Sequence, residues 1–196
     1  MTKSYLIHIY PGGSDTCSEQ IPIDAVTHPD LFCKKCKRRK KDLRCLDFRI
    51  AEKKPMHLPI SAAAFSRKYF SIKTFFEELT IESPPNDWVT GRLFNSEGDE
   101  LANWLTFINR QQVIVRGDKN VSYLKCDECE TVSYFATGRQ HVISHQVDNR
   151  KVMQSDLGGL LIEPTLYERI CPKNLRAITK RKVIIVDEPF DGLGEL

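Results

Sequence analysis

The chain has 196 residues, 41% of them hydrophobic and 28% charged, and its formal net charge is +3. This composition is typical of a folded globular protein and excludes an intrinsically disordered chain. The net charge is too small to indicate nucleic-acid binding, and apolar stretches such as 183–186 are far shorter than the roughly 20 residues of a membrane span. We therefore expect one globular domain over residues 1–196, without a membrane segment.

The N-terminal half is predicted to contain two strands. An apolar run over residues 4–10 ends at the turn signal Pro11-Gly12-Gly13, which predicts the first strand. Apolar and polar residues alternate over 44–50, and this period of two predicts a half-buried strand.

Three short helices are predicted. The first lies around 71–79, where Thr74 and Glu77 have the spacing of a capping box. The second runs over 100–109, and the third runs over 165–170, between two prolines.

The later half of the chain is rich in strand-forming residues. Residues 112–116 and 121–125 are predicted to form a hairpin around the turn 117–120. Further strands are predicted at 131–135, 159–162 and 182–186. The fold class is therefore predicted to be α+β, with a largely antiparallel sheet, a pair of zinc knuckles and about three short helices.

The most specific motif is a pair of Cys-x-x-Cys sequences, formed by Cys33 and Cys36 and by Cys126 and Cys129. Two thiolates this close on a tight turn can face one ion, so each pair supplies half of a four-sulfur shell. Four thiolates leave no open position for a substrate, which predicts a structural Zn²⁺. The zinc-binding lobe would be formed by about 30–50 and 112–136.

Other interpretations of the cysteines stay open. The four thiols could be buried in a reducing compartment without a metal, or one pair could be a redox motif, although neither has the strand-to-helix context of that chemistry. The remaining cysteines lie in no recognisable motif and are predicted to be small buried apolar residues. They are Cys17, Cys45 and Cys171.

A zinc finger is a further alternative, because His141 and His145 follow the second cysteine pair with nearly the spacing of a nucleic-acid-binding finger. That interpretation needs a helix with both histidines on one face. It also leaves Cys33 and Cys36 without a role.

Charges of opposite sign flank the two pairs. Seven of the eight residues 34–41 are basic, whereas Asp127, Glu128 and Glu130 surround the second pair. The two signs are expected to face each other across the metal. The basic run 34–41 is either a solvated loop or a phosphate-binding surface, and it contains no aromatic residue for base stacking.

The layout resembles that of the bacterial double-CxxCG proteins, some of which act as immunity proteins against polymorphic toxins delivered between competing cells. The resemblance lies in the spacing of the two pairs and in a strand-helix-strand stretch at 158–170 and 182–186. Lys37 and Glu130 stand where that family has glycine.

The resemblance implies a zinc-stabilised cytoplasmic protein that binds and neutralises a cognate toxin protein. Such a protein needs no catalytic residue, and the sequence contains no phosphate-binding glycine loop, nucleophile elbow or His-Glu-x-x-His motif. We therefore expect that it is not an enzyme. The alternative is a nucleic-acid-binding zinc-ribbon protein that uses the basic run 34–41.

Overall fold

The computed structural model describes most of the chain. Its described residues are 5–11, 16–17, 33–36, 47–54, 59–63, 69–130, 132–147, 149–171 and 178–187. Cys45 and the basic residues 37–41 lie outside these ranges, as does the side chain of Cys17.

The described part of the chain contains fourteen strands and three α-helices. The strands are β1 (Tyr5–Pro11), β2 (Thr16–Cys17), β3 (Phe48–Arg49), β4 (Ile60–Ala63), β5 (Tyr69–Ile72), β6 (Trp88–Gly91), β7 (Leu93–Phe94), β8 (Trp104–Asn109), β9 (Gln112–Val113), β10 (Arg116–Lys125), β11 (Val132–Ile143), β12 (Val152–Ser155), β13 (Leu160–Ile162) and β14 (Ile178–Val186). The helices are α1 (Lys73–Thr80), α2 (Ser144–Val147) and α3 (Pro164–Ile170), with one 3-10 turn at Pro85–Asp87.

A seven-stranded sheet forms the larger layer, in the order β10-β11-β14-β1-β13-β12-β9. Its neighbouring strands are antiparallel except for two parallel pairs, β11 with β14 and β9 with β12. A five-stranded sheet has the order β2-β4-β5-β8-β6, and a small sheet pairs β3 with β7. The prediction of an α+β fold with a largely antiparallel sheet and three short helices is therefore confirmed for the described residues.

Strand β1 lies at the centre of the larger sheet and is buried on both faces. Side chains alternate along a strand, so Leu6 and His8 project to one face and Ile7 and Ile9 to the other. Leu6 packs in one apolar cluster and Ile9 in another. The apolar N-terminal run is thus a central strand whose side chains are buried or half-buried on both faces, and the strand predicted over 4–10 is found at Tyr5–Pro11.

The main core joins both sheets to two helices. Its buried members are Ile9, Val152, Leu160 and Ile162 from the larger sheet, Ile60, Tyr69 and Phe107 from the second sheet, Phe75, Leu79, Leu166 and Ile170 from α1 and α3, and Cys171. Each fully buried aliphatic or aromatic side chain contributes about 1.5–3 kcal/mol relative to an exposed one. The packing of the two layers therefore depends mainly on this cluster.

Two of the three predicted helices are confirmed, with one change in how the first begins. In α1 the apolar residues Phe75 and Leu79 are spaced by one turn and both are buried, but Ile72 is the N-cap and no side chain caps the helix. Thr74 therefore lies inside the helix and forms no capping box. Helix α3 begins after Glu163, whose carboxylate accepts the Leu166 N–H at 3.0 Å.

The predicted helix over 100–109 is wrong. Residues 104–109 form β8, which pairs with β5 on one side and with β6 on the other. The helical spacing of the apolar residues is real, but Trp104, Thr106 and Phe107 also favour a strand, and pairing on both sides overrides the local preference. Among the described residues, the remaining helix is α2, at Ser144–Val147.

The predicted hairpin over 112–125 is also wrong. Residues 116–125 form one continuous strand, and Gln112–Val113 pairs separately with β12. The predicted turn is a β-bulge, since the register with β11 shifts between Gly117 and Lys119. A Cβ at Gly117 would lie only 2.8 Å from the Thr137 nitrogen, so the glycine permits close approach of two backbones.

The other predicted strands are found with changed lengths. Phe48 and Arg49 form a strand and Ile50 a bridge, with Phe48 and Ile50 fully buried. The strands predicted at 131–135 and 182–186 are the ends of the longer β11 and β14. In the described part of the chain, every helix is too short or too polar to span a bilayer.

Candidate metal centre

The four cysteines of the two Cys-x-x-Cys motifs lie together in the structure. Cys33 and Cys36 bracket a tight turn, and Cys126 and Cys129 lie in the turn that joins β10 to β11. The second pair is therefore at the tip of a hairpin. The hairpin brings together residues that are 93 positions apart in the chain.

The distances between sulfur atoms fit one tetrahedral ion. Cys33 Sγ lies 3.7 Å from Cys126 Sγ, and Cys36 Sγ lies 3.7 Å from Cys129 Sγ. All four sulfur atoms lie within 4.8 Å of one another. With Zn–S bonds of about 2.3 Å, the edge of a tetrahedral four-sulfur shell is about 3.8 Å. The four cysteines could therefore hold a metal ion with small adjustments.

The centre has a buried side and a more accessible side. Cys33 and Cys126 are 0% and 5% exposed, whereas Cys36 and Cys129 are half-buried. A separation of 3.7 Å is much longer than the S–S bond of about 2.05 Å in a disulfide, so none of the four cysteines is in a disulfide bond. A four-thiol set leaves no position for a substrate, so the arrangement is typical of a structural site.

An ion pair links the two cysteine turns directly. Lys35 Nζ donates to Asp127 Oδ2 at 2.6 Å, which confirms for this pair that opposite charges from the two turns face each other. The hydrogen bond from Lys35 lowers the pKa of the Asp127 carboxyl. Both side chains are largely exposed, so the pair orients the turns and adds little stability.

The residue after the second pair has an unusual backbone conformation. Glu130 has a φ of 56° and is the one non-glycine residue with positive φ among those described. This left-handed region is favoured by glycine because a Cβ there approaches the following carbonyl oxygen. The turn therefore holds Glu130 in a conformation that its side chain disfavours.

The other candidate ligands are not part of the centre. Cys171 is buried in the main core, and burial raises the pKa of its thiol to about 12, so it stays protonated at neutral pH. His141 lies in β11 and His145 in α2, and neither belongs to the group of possible metal ligands found among the described residues. The helix with both histidines on one face, which a zinc finger needs, does not form.

A buried polar cluster was missed by the sequence analysis. His8 is fully buried, and its Nε2 donates to the Gly158 carbonyl at 2.7 Å. The Tyr10 hydroxyl lies 2.6 Å from His8 Nδ1, and Gln140 Oε1 lies 3.1 Å from the same nitrogen. Since Gln140 is 132 positions from His8, no local sequence signal could have connected them.

Comparison with known proteins gives no match for this chain, whether with protein-family models, curated proteins or solved structures.

Proposed function

We propose that the protein is a zinc-stabilised binding protein, in which Cys33, Cys36, Cys126 and Cys129 hold one structural Zn²⁺. The observation that carries this proposal is the pair of 3.7 Å sulfur distances between thiols from distant segments. The cysteines would lose their protons on binding, and the ion would clamp the first turn to the tip of the β10–β11 hairpin.

The closed thiolate shell supports a binding role over a catalytic one. An ion that is fully coordinated by protein can neither activate water nor polarise a substrate. The specific function that we propose is that of an immunity-type protein, which captures and neutralises a cognate bacterial toxin in the cytoplasm. The layout that resembles the double-CxxCG proteins supports this form of the proposal.

The metal content of the purified protein tests the first part. We expect elemental analysis to give about one zinc per chain, since four thiolates hold a single ion. The double variant Cys36→Ser/Cys129→Ser should lose the zinc, whereas Cys171→Ser should keep it because that thiol lies in the core. Wild-type protein without zinc, or with iron in its place, would refute the assignment of the ion.

Co-expression with the product of the neighbouring gene tests the second part. An immunity-type protein should co-purify with that product at about equal amounts and should protect cells in which the product is toxic, because it acts by occupying the toxin. If the product neither binds nor harms the cells, the immunity function is wrong, whatever the metal content.

A further inference from the structure

The N-terminal half of β14 carries three consecutive basic residues on the surface. Lys180, Arg181 and Lys182 are all exposed, and none has an ion-pair partner among the residues that the structure describes. Other surface cations do have such partners, for example Lys53 with Glu97 and Arg169 with Glu82. Within the described part of the chain, the positive charge of this strand is therefore not balanced by ion pairs.

The three cations are divided between the two faces of the sheet. Arg181 lies opposite His8 in the register with β1, and its charge acts on His8 and Tyr10. Lys180 and Lys182 lie opposite Ile9 and Ile7, on the face that packs on the helices. The Cα atoms of the two lysines are about 7 Å apart, because they are alternate residues of one strand.

Each of these lysines lies over an aromatic ring. Lys182 Nζ is 3.9 Å from the centre of the Tyr5 ring, and Lys180 Nζ is 5.6 Å from the centre of the Tyr167 ring. The rings limit the freedom of the lysine side chains and leave the ammonium groups charged and exposed. We name these four residues the cationic-aromatic patch.

The patch offers hydrogen-bond donors to an anion. The described residues provide no hydrogen-bond partner for either tyrosine hydroxyl, so each can donate. Two ammonium groups and two phenol groups in a fixed arrangement match carboxylates on a partner. Ordering the lysines in advance also lowers the entropy lost on binding.

We propose that the cationic-aromatic patch is the surface that docks on an acidic face of the partner protein. This inference rests on the proposed binding function and names the chemistry of the partner. A protein is favoured over single-stranded nucleic acid because the ammonium groups cover the tyrosine ring faces that bases would stack on. Tyrosine is also one of the residue types that contribute most to protein interfaces.

The test uses the full-length protein and a fluorescent poly-L-glutamate of about 20 residues as the probe, at low salt where such binding is strongest. Lys182→Glu should weaken binding at least about tenfold, because it places a like charge against the probe. The matched control is Arg181→Glu, which makes the same charge change on the adjacent residue but on the opposite face. It should change the affinity by less than about threefold.

Three results with these probes would overturn the proposal. They are no binding of poly-L-glutamate by the wild-type protein, equal losses of affinity in the two variants, and tighter binding of oligouridylate of the same length with the same dependence on Lys182.

Capture of the neighbouring gene product separates this proposal from the immunity function. If Lys182→Glu captures that product as well as wild type does, the immunity function stands and the docking surface is wrong. If the neighbouring gene product is not captured, but Lys182→Glu weakens poly-L-glutamate binding more than Arg181→Glu does, the docking surface is supported and the immunity function is wrong.

Discussion

Single residues at the metal centre carry stability effects that the motif does not reveal. The Cys-x-x-Cys spacing is enough to predict that the four cysteines form one cluster, because two thiols on a tight turn converge whatever lies between them. It does not predict the backbone of the residue that follows. The left-handed φ of Glu130 identifies a position where glycine would be free of steric cost.

Replacing Glu130 by glycine should therefore stabilise the protein. Relief of the left-handed strain is worth about 1–2 kcal/mol, and the greater freedom of glycine in the unfolded chain removes about 0.5–1 kcal/mol of that gain. We expect a net increase of about 0.5–1 kcal/mol in the free energy of unfolding, measured by urea denaturation. The control Glu128→Gly changes the same residue type in the same turn, at a position without positive φ, and should destabilise. Equal effects of the two changes would contradict the argument.

His8 makes the stability of the protein dependent on pH. Burial lowers the pKa of this histidine from its ordinary value of 6.5 to about 4, so the folded state keeps it neutral. Between these two values the unfolded chain binds a proton that the folded protein does not. The stability that neutral His8 provides is therefore complete above pH 6.5 and falls as the pH drops towards 4, by about 3 kcal/mol.

The measurement compares wild type with His8→Gln by urea denaturation between pH 7 and pH 4.5. Other groups also titrate in acid, but they do so in both proteins. The difference between the two curves should therefore shrink as the pH falls. Parallel curves would show that His8 is not the group responsible.

At the scale of secondary-structure elements, the sequence predicts that a helix or strand exists better than it predicts which strands pair with each other. Helix α3 could be predicted because Pro164 and Pro172 mark its two ends in the sequence. Strand β8 could not, because the spacing of its apolar residues also fits a helix, and only pairing with β5 and β6 makes it a strand. Gly117 shows the same limit. Its sequence context predicts a turn, but because β11 lies alongside, the residue forms part of a β-bulge.

Gly159 is a point of close approach between elements. It precedes β13 with a φ of 85°, and a Cβ there would overlap the Ile9 carbonyl oxygen and lie 2.9 Å from His8 Nε2. Gly159→Ala should therefore cost about 3 kcal/mol, measured by thermal or urea unfolding, because central strands must separate to accept it. Gly98→Ala is the control, since its φ is 92° but its nearest neighbour is the end of the Arg49 side chain at 3.5 Å. That change should cost only about 1 kcal/mol of backbone strain. A larger loss for Gly98 would contradict this account.

At the scale of the whole molecule, the proposed ion is a cross-link. It joins two turns separated by about 90 residues, and closing a loop of that size removes roughly 4–5 kcal/mol of chain entropy from the unfolded state. The sequence predicts this link from the motif alone. The polar cluster of His8, Tyr10 and Gln140 needs the assembled sheet, which is why only the metal centre was found in advance.

Removing the ion should lower the melting temperature by about 10 °C, as expected when a domain of this size loses roughly 4 kcal/mol. The measurement is a thermal scan under reducing conditions with and without a strong chelator. Cys171→Ser should show the same shift as wild type, and added zinc should reverse it in both. An unchanged scan after chelation would refute a stabilising ion.

The central position of β1 determines when the larger sheet can be completed during synthesis of the chain. Its partners on either side are β13 and β14, which leave the ribosome more than a hundred residues later. All four cysteines of the candidate metal centre precede both of those strands in the chain. The proposed ion could therefore bind the nascent polypeptide before β13 and β14 are synthesised, and it would then join the two cysteine turns before the larger sheet is complete.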